Sequence, residues 1–241
     1  MTLWCYLQTA IAPLPVIPYY FYLSQDDKRL LEQAQTEEAR RSYLEILGQN
    51  RGILTREFSG AVRYCETCSL IKPDRCHHCS MCRRCVLHMD HHCPWFNNCV
   101  CYSNYKYFLL TLFYTLLTSA FCVTTTSLYV PNLWSNVGSQ FVRTFHVTFL
   151  DIVGVVLLFG LGSFLYYHIT LVLANSTTLE NMRDPVFKVR EDSFNIGWRE
   201  NFLEVFGSNP LLWLIPVFST RGDGARFPTV LHRNRNALGA V

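Results

Sequence analysis

Residues 63–108 read RYCETCSLIKPDRCHHCSMCRRCVLHMDHHCPWFNNCVCYSNYKYF and hold nine of the eleven cysteines (Cys65, Cys68, Cys76, Cys79, Cys82, Cys85, Cys93, Cys99, Cys101) with five of the eight histidines. A disulfide framework calls for a secretory context, and the opening MTLWCYLQTAIAP has neither a basic segment nor a cleavage site. Histidines interleaved with C-x-x-C pairs instead suit zinc in a reducing compartment. Cys76, Cys79, Cys82 and Cys85 follow one another at strict three-residue spacing, so spacing leaves the ligand pairing open: 76/79 with 82/85, or 79/82 with outer partners. Nine thiols and five imidazoles fill two tetrahedral sites with candidates to spare.

Outward from this window the chain is greasy. Half of its 241 residues are apolar and only 16% are charged, and mean hydropathy is slightly positive. These values exclude disordered and low-complexity classes, and a net charge of +3 is too balanced for a nucleic-acid footprint. Tyr107 to Val142 contains no Asp, Glu, Lys or Arg, and residues 107–130 are long enough to cross about 30 Å of hydrocarbon. Residues 152–174 form a second apolar stretch, with His168 as its one titratable group and Gly154, Gly160, Gly162 and Ser163 as small contact points. The fold class expected is a mainly α membrane protein: two transmembrane helices and a small zinc-stabilised Cys-rich domain containing β-hairpins. Basic residues number 12 before Tyr107 and 8 after Ala174, against Arg143 alone between the spans. The positive-inside rule therefore places both termini and the cysteine window in the cytosol and the 131–151 loop on the far side.

Residues 1–23 carry no charge, but Pro13, Pro15 and Pro18 restrict a helix to about residues 1–12, too short to span. Ser24 and Asp27 form a capping-box-like start to a juxtamembrane helix over 26–47, with Gly48 as its stop, in a 24–62 linker region. No internal repeat is evident beyond the C-x-x-C pairs, and there is no Gly-rich phosphate loop.

Asp90, His91, His92 and Cys93 spell DHHC, and the segment resembles the Cys-rich domain of the DHHC-type protein S-palmitoyltransferases. The resemblance takes in Cys65 and Cys68, Lys72-Pro73 with Arg75, His78-Cys79, the Cys82 and Cys85 spacing, Pro94-Trp95, Asn98-Cys99 and Ser103-Asn104-Tyr105. Beyond the window, Thr177-Thr178-Leu179-Glu180 resembles the family's TTxE motif and Asn201-Phe202 through Gly207 its aromatic-rich motif, in a cytosolic 175–241 region. The resemblance implies one structural zinc on Cys65, Cys68, His78 and Cys85 and a second on Cys79, Cys82, His92 and Cys99. It further implies that Cys93 is the nucleophile that accepts a palmitoyl group, His91 its general base and Asp90 the carboxylate that orients His91. The implied donor is palmitoyl-CoA, with Lys72 and Arg75 at its phosphates and Trp95 at the mouth of the acyl cavity. The implied acceptors are cysteines of membrane-associated proteins, in an endomembrane, with the Golgi first among candidates. Thr178 is expected to hydrogen-bond Asp90.

Cys76 and Cys101 are left as spare thiols, and Cys5 and Cys122 as packing or lipidation positions. His77 and His88 are expected outside the ligand sets, His168 paired with a hydroxyl, and Asp151 at the membrane interface. Family members have four spans with the Cys-rich domain between the second and third, whereas residues 1–12 here read as the remnant of a second span. The chain is thus expected to be a truncated family member, for which the alternative function is a non-catalytic, zinc-stabilised membrane adaptor.

Overall fold

A computed structural model describes residues 1–135 and 137–231. The chain opens with α1 (Thr2–Ile11), ended by the proline-rich run that follows. After a short 3₁₀ turn come α2 (Gln25–Gln33) and α3 (Glu37–Asn50). The Ser24–Asp27 capping box is present, each side chain accepting the other's backbone N–H at 3.0 Å. The single helix expected over 26–47 is, however, two. Thr36 caps a new start by accepting the Ala39 amide, with Glu37 and Glu38 at the positive end of the helix dipole, so a second N-terminus wins over continuation.

Eight short strands follow: β1 (Thr55–Arg56), β2 (Tyr64–Cys65), β3 (Leu70–Ile71), β4 (His77–Cys79), β5 (Arg84–Val86), β6 (His91–Cys93), β7 (Asn98–Val100) and, far along the chain, β8 (Val186–Phe187). Strands β2–β3, β4–β5 and β6–β7 are three successive antiparallel hairpins, and β1 pairs with β8. Register repeats at a 14-residue interval: Cys65 faces Leu70, Cys79 faces Arg84, Cys93 faces Asn98. The turn repeats as well, with left-handed backbone at Ser69, Arg83 and Asn97. The expectation of no repeat beyond the C-x-x-C pairs is corrected here. Side chains vary between copies, so the period is carried by backbone more than by sequence.

Helix α4 (Tyr105–Ser127) leads into α5 (Val130–Ser135), and α6 (Val137–Ala174) returns antiparallel to α4, which packs against both α6 and α1. Both long helices have the length and apolarity to cross a membrane. In α4 the hydroxyls of Thr111, Thr115, Thr118 and Thr124 donate to carbonyls four residues back, so these side chains sit in an apolar helix without unmet polar groups. Lys106, at the start of α4, is buried with its ammonium on the carbonyls of Leu212 and Val217 and the hydroxyl of Ser219. Residues 131–135 and 137–151 are helical where a loop was expected. Nothing in 137–151 breaks a helix, and Asp151 meets Thr126 and Ser127, the last two residues of α4, at 2.6 and 3.0 Å. Cys5 is fully buried against α4, a packing residue and not a lipidation position.

Short α7 (Thr178–Met182) and α8 (Trp198–Phe206) follow, with a 3₁₀ turn at Pro210–Leu212 beyond them. The α6–α7 junction is bolted to the hairpins by Arg75, whose guanidinium donates to both Glu180 oxygens at 2.7 and 2.9 Å and to Asn175 Oδ1 and O. This pair is almost wholly buried. Removing one partner leaves a buried, uncompensated charge, which typically costs about 3–5 kcal/mol. Glu180→Ala is therefore expected to lower unfolding stability by about that amount in a denaturant titration of the detergent-solubilised chain, whereas Lys72→Ala leaves stability unchanged.

Candidate functional site

The hairpin repeat brings ligands together in a staggered way. Cys65 and Cys68 of the first hairpin meet His78 and Cys85, a cross-strand pair of the second. Cys79 and Cys82 of that second hairpin meet His92 and Cys99, a cross-strand pair of the third. Nδ1 of His78 lies 3.3–3.9 Å from its three sulfurs, and Nδ1 of His92 lies 3.5–3.6 Å from its own. A tetrahedral zinc with ordinary Zn–S and Zn–N bonds separates its ligands by about 3.5–3.8 Å, so both clusters fit the ion as they stand. Each is a closed Cys3His set with no place for water, which suits a structural metal. The resemblance-based ligand sets are those the structure gathers. Cys76 and Cys101 are buried and fall outside both clusters.

The third hairpin departs from this pattern at one position. Where the first two turns run Cys65-x-x-Cys68 and Cys79-x-x-Cys82, the third runs Cys93-Pro94-Trp95-Phe96, with phenylalanine in place of the second sulfur. The amide arrangement that serves a knuckle cysteine persists: the Cys82 N–H points at Cys79 Sγ at 3.4 Å, and the Trp95 and Phe96 amides serve the Cys93 thiol likewise. Cys93 thus stands in a ligand's cradle without a partner set. Burial alone pushes this thiol up, but the His91 ring and these amides hold it below its ordinary value.

His91 is joined to Asp90 by a 2.6 Å hydrogen bond, and because a carboxylate only accepts, Nδ1 carries the proton. Nε2 is thereby left toward Cys93. Burial pulls the imidazole down, yet the contacts to Asp90 and Cys93 outweigh it and push His91 up to about 9. Asp90, 2% exposed, is fixed from its other side by Thr178, whose N–H and Oγ1 both lie 2.8 Å from its oxygens. Burial opposes its charge, and the hydrogen bonds from His91 and Thr178 still hold its carboxyl below the usual range. The expected Thr178–Asp90 contact is present. Its signal was the TTxE resemblance; spacing alone, across 88 residues, gave none.

Of the residues expected at the acyl-CoA phosphates, Lys72 lines a cavity of about 690 Å³ together with Arg56, Arg63, His77 and Arg183. Arg75 lines the same cavity, but its guanidinium is buried, with four of its five N–H donors on Glu180 and Asn175 and the Phe194 and Phe227 rings packed against it, so at most one donor faces a phosphate. Arg63, not singled out from the sequence, lines the cavity Lys72 lines, with one guanidinium nitrogen on the Cys76 carbonyl at 2.6 Å. Trp95 is largely exposed, and its carbonyl accepts from Tyr6 of α1. His168 pairs with the Tyr105 hydroxyl at 3.1 Å, as expected, and its ring stands 6.0 Å from that of His91.

Comparison with known proteins bears directly on this arrangement. The sequence profile described as DHHC palmitoyltransferase matches residues 59–185, more than half of the chain. The chain belongs to the DHHC palmitoyltransferase family. Palmitoyltransferase ZDHHC2 of Mus musculus is 46% identical over 234 residues, covering 96% of this chain and 64% of the relative. Palmitoyltransferase ZDHHC20 of Homo sapiens is 42% identical with 96% and 64% covered, and ZDHHC15A of Danio rerio is 41% identical with 93% and 69% covered. The chain thus spans about 64% of the length of the first two.

The staggered ligand sets generate a metal-content test. Purified protein is expected to carry about two zinc ions per chain, and Cys85→Ser and Cys99→Ser each to lose metal and destabilise the hairpins, since binding and folding are coupled here. Cys76→Ser and Cys101→Ser are expected to retain both ions by mass spectrometry of the native protein.

Proposed function

We propose that this chain is a protein S-acyltransferase that moves a palmitoyl group from palmitoyl-CoA to cysteine thiols of membrane-associated proteins through an acyl-Cys93 intermediate. The observation that carries the reading is the free Cys93 thiol, held beside an His91–Asp90 pair in a hairpin whose two predecessors spend the equivalent sulfur on metal. Nothing about either cluster leaves zinc a catalytic role; the ions fix the hairpins, and this chain's own side chains do the chemistry.

In this reading His91 Nε2 takes the Cys93 proton ahead of attack, giving an imidazolium beside a thiolate, and Sγ then bonds to the thioester carbon. The proton then passes to the departing coenzyme A sulfur. Asp90 keeps His91 in the tautomer with Nε2 free and balances its positive charge, and Thr178 keeps Asp90 in place. Transfer to the acceptor thiol runs the same exchange a second time and regenerates Cys93.

The membrane supplies the reason for the location. Each CH2 of the acyl chain left in water forfeits about 0.8 kcal/mol, so the thiol belongs where the tail can stay in hydrocarbon. Cys93 lies in one apolar cluster with Phe96, Phe108 and Leu112 of α4 and Val172 of α6, at the end of the two long helices. With the hairpins and termini on the cytosolic side of an endomembrane, the donor's polar head stays in water beside Lys72 and Arg63, and the chain enters between the helices. The Golgi remains the first compartment proposed.

The test is acylation by palmitoyl-CoA of the chain in detergent or bilayer discs. A hydroxylamine-labile adduct on Cys93 is expected, and Cys93→Ser is expected to abolish it with zinc content unchanged. His91→Ala is expected to slow the step by about 10²–10⁴ without metal loss, as for loss of a positioned base, whereas His92→Ala releases metal. An adduct that survives Cys93→Ser would overturn the assignment.

A further inference from the structure

Among the described residues, a single buried side-chain nitrogen or oxygen is without a hydrogen-bond partner: Nε2 of His168. The residue is 1% exposed and sits near the end of α6, walled by the rings of Phe164 (4.6 Å), Phe108 (4.9 Å) and Tyr167 (5.4 Å), with His91 at 6.0 Å. A polar nitrogen buried without a partner is unfavourable, so its persistence here calls for an acceptor or donor that arrives from outside.

Its hydrogen-bonding character follows from its neighbour. Tyr105 Oη lies 3.1 Å from Nδ1. Were Nδ1–H the donor, the buried phenol proton would be stranded together with an Nε2 lone pair. With the phenol donating to Nδ1, only one group is left over, and that group is an N–H at Nε2. The Tyr105 contact thus sets the tautomer and turns the free edge of the ring into a hydrogen-bond donor in an apolar wall, next to the His91 ring that serves Cys93.

We propose that the His168 Nε2–H donates to the carbonyl oxygen of the acyl thioester and stabilises the oxyanion formed when Cys93 attacks. The inference rests on the acyltransferase reading above. A fatty acyl thioester with its tail between α4 and α6 brings one strong acceptor near Cys93, and that is this carbonyl oxygen. As the Sγ–C bond forms, the carbonyl π electrons move onto oxygen and the hydrogen bond shortens and strengthens. As the electrons return, the C–S bond to coenzyme A breaks and its sulfur takes the proton from His91. His168 gains and loses no proton. A donor placed where charge develops, in a site without water, is typically worth about 10²–10³ in rate.

The decisive comparison sets acylation against alkylation of the same thiol. Attack on iodoacetamide displaces iodide at a CH2 and forms no oxyanion, but it draws on the same activation of Cys93 by His91. In the full chain, His168→Phe keeps an aromatic ring in the wall and removes the N–H. It is expected to slow single-turnover acylation by palmitoyl-CoA by about 10²–10³, while Cys93 alkylation, followed by peptide mapping, and zinc content stay as in the parent. His168→Gln, which keeps an N–H, is expected to recover part of the loss. Parent-like acylation in His168→Phe overturns the proposal, as does a fall in alkylation that matches the fall in acylation. Should His168→Phe lose metal or fail to fold, Tyr105→Phe carries the test: it frees Nδ1 to hold the proton and is expected to slow acylation but not alkylation, and equal acylation there overturns the proposal. A parent chain that is alkylated at Cys93 but forms no acyl adduct overturns the acyltransferase reading itself, and this inference with it.

Discussion

Tetrahedral coordination by ligands drawn from two successive hairpins is the constraint on which the rest of the molecule depends. Strands of two or three residues cannot hold themselves together by ladder hydrogen bonds, and much of what is buried between them is cysteine. Each Cys3His cluster fits a metal that would close the gap a hydrophobic core otherwise fills. Because each Cys-x-x-Cys turn is completed by the histidine and cysteine of the next hairpin, no hairpin is positioned independently of its neighbour.

The stagger also explains how the proposed nucleophile, Cys93, comes to lie among eight clustered Cys and His side chains. A chain of hairpins in which each is completed by the one after it must end on a turn with nothing to complete it. Cys93 occupies that last turn, Phe96 stands where the second sulfur would, and the amides that would support a metal-bound sulfur serve an unligated thiol instead, holding it below its ordinary value. The second anchoring comes from the far end of the chain. Thr178 reaches Asp90 and Glu180 reaches Arg75, so the exit of α6 fixes the carboxylate beside His91 from one side and the hairpins from the other.

The hairpin region was legible in outline because cysteine and histidine have few other reasons to cluster, although spacing alone could not decide among Cys76, Cys79, Cys82 and Cys85. The resemblance decided it, and cross-strand register supplies the physical reason: His78 faces Cys85 and His92 faces Cys99, while Cys76 lies outside the strand. The 14-residue period was hidden because its invariants are a register and a left-handed turn carried by Ser69, Arg83 and Asn97, with no glycine to mark them. The burial of Arg75 was not legible because its partners lie 100 and 105 residues away. The helical residues 137–151 were taken as part of a loop because charge asymmetry marks where a helix crosses a boundary and is silent on where it ends.

Asn98 has a place of its own in this arrangement. It faces Cys93 across the third hairpin, and its amide nitrogen lies within 3.2 Å of the carbonyls of Thr9, Ala10 and Ala12 at the end of α1. Asn104 takes hold of the Thr9 carbonyl as well. The strand opposite the thiol is therefore coupled to α1 by direct bonds, without an intervening loop to absorb displacement. A displacement of α1 along its axis cannot leave the backbone facing Cys93 where it stands.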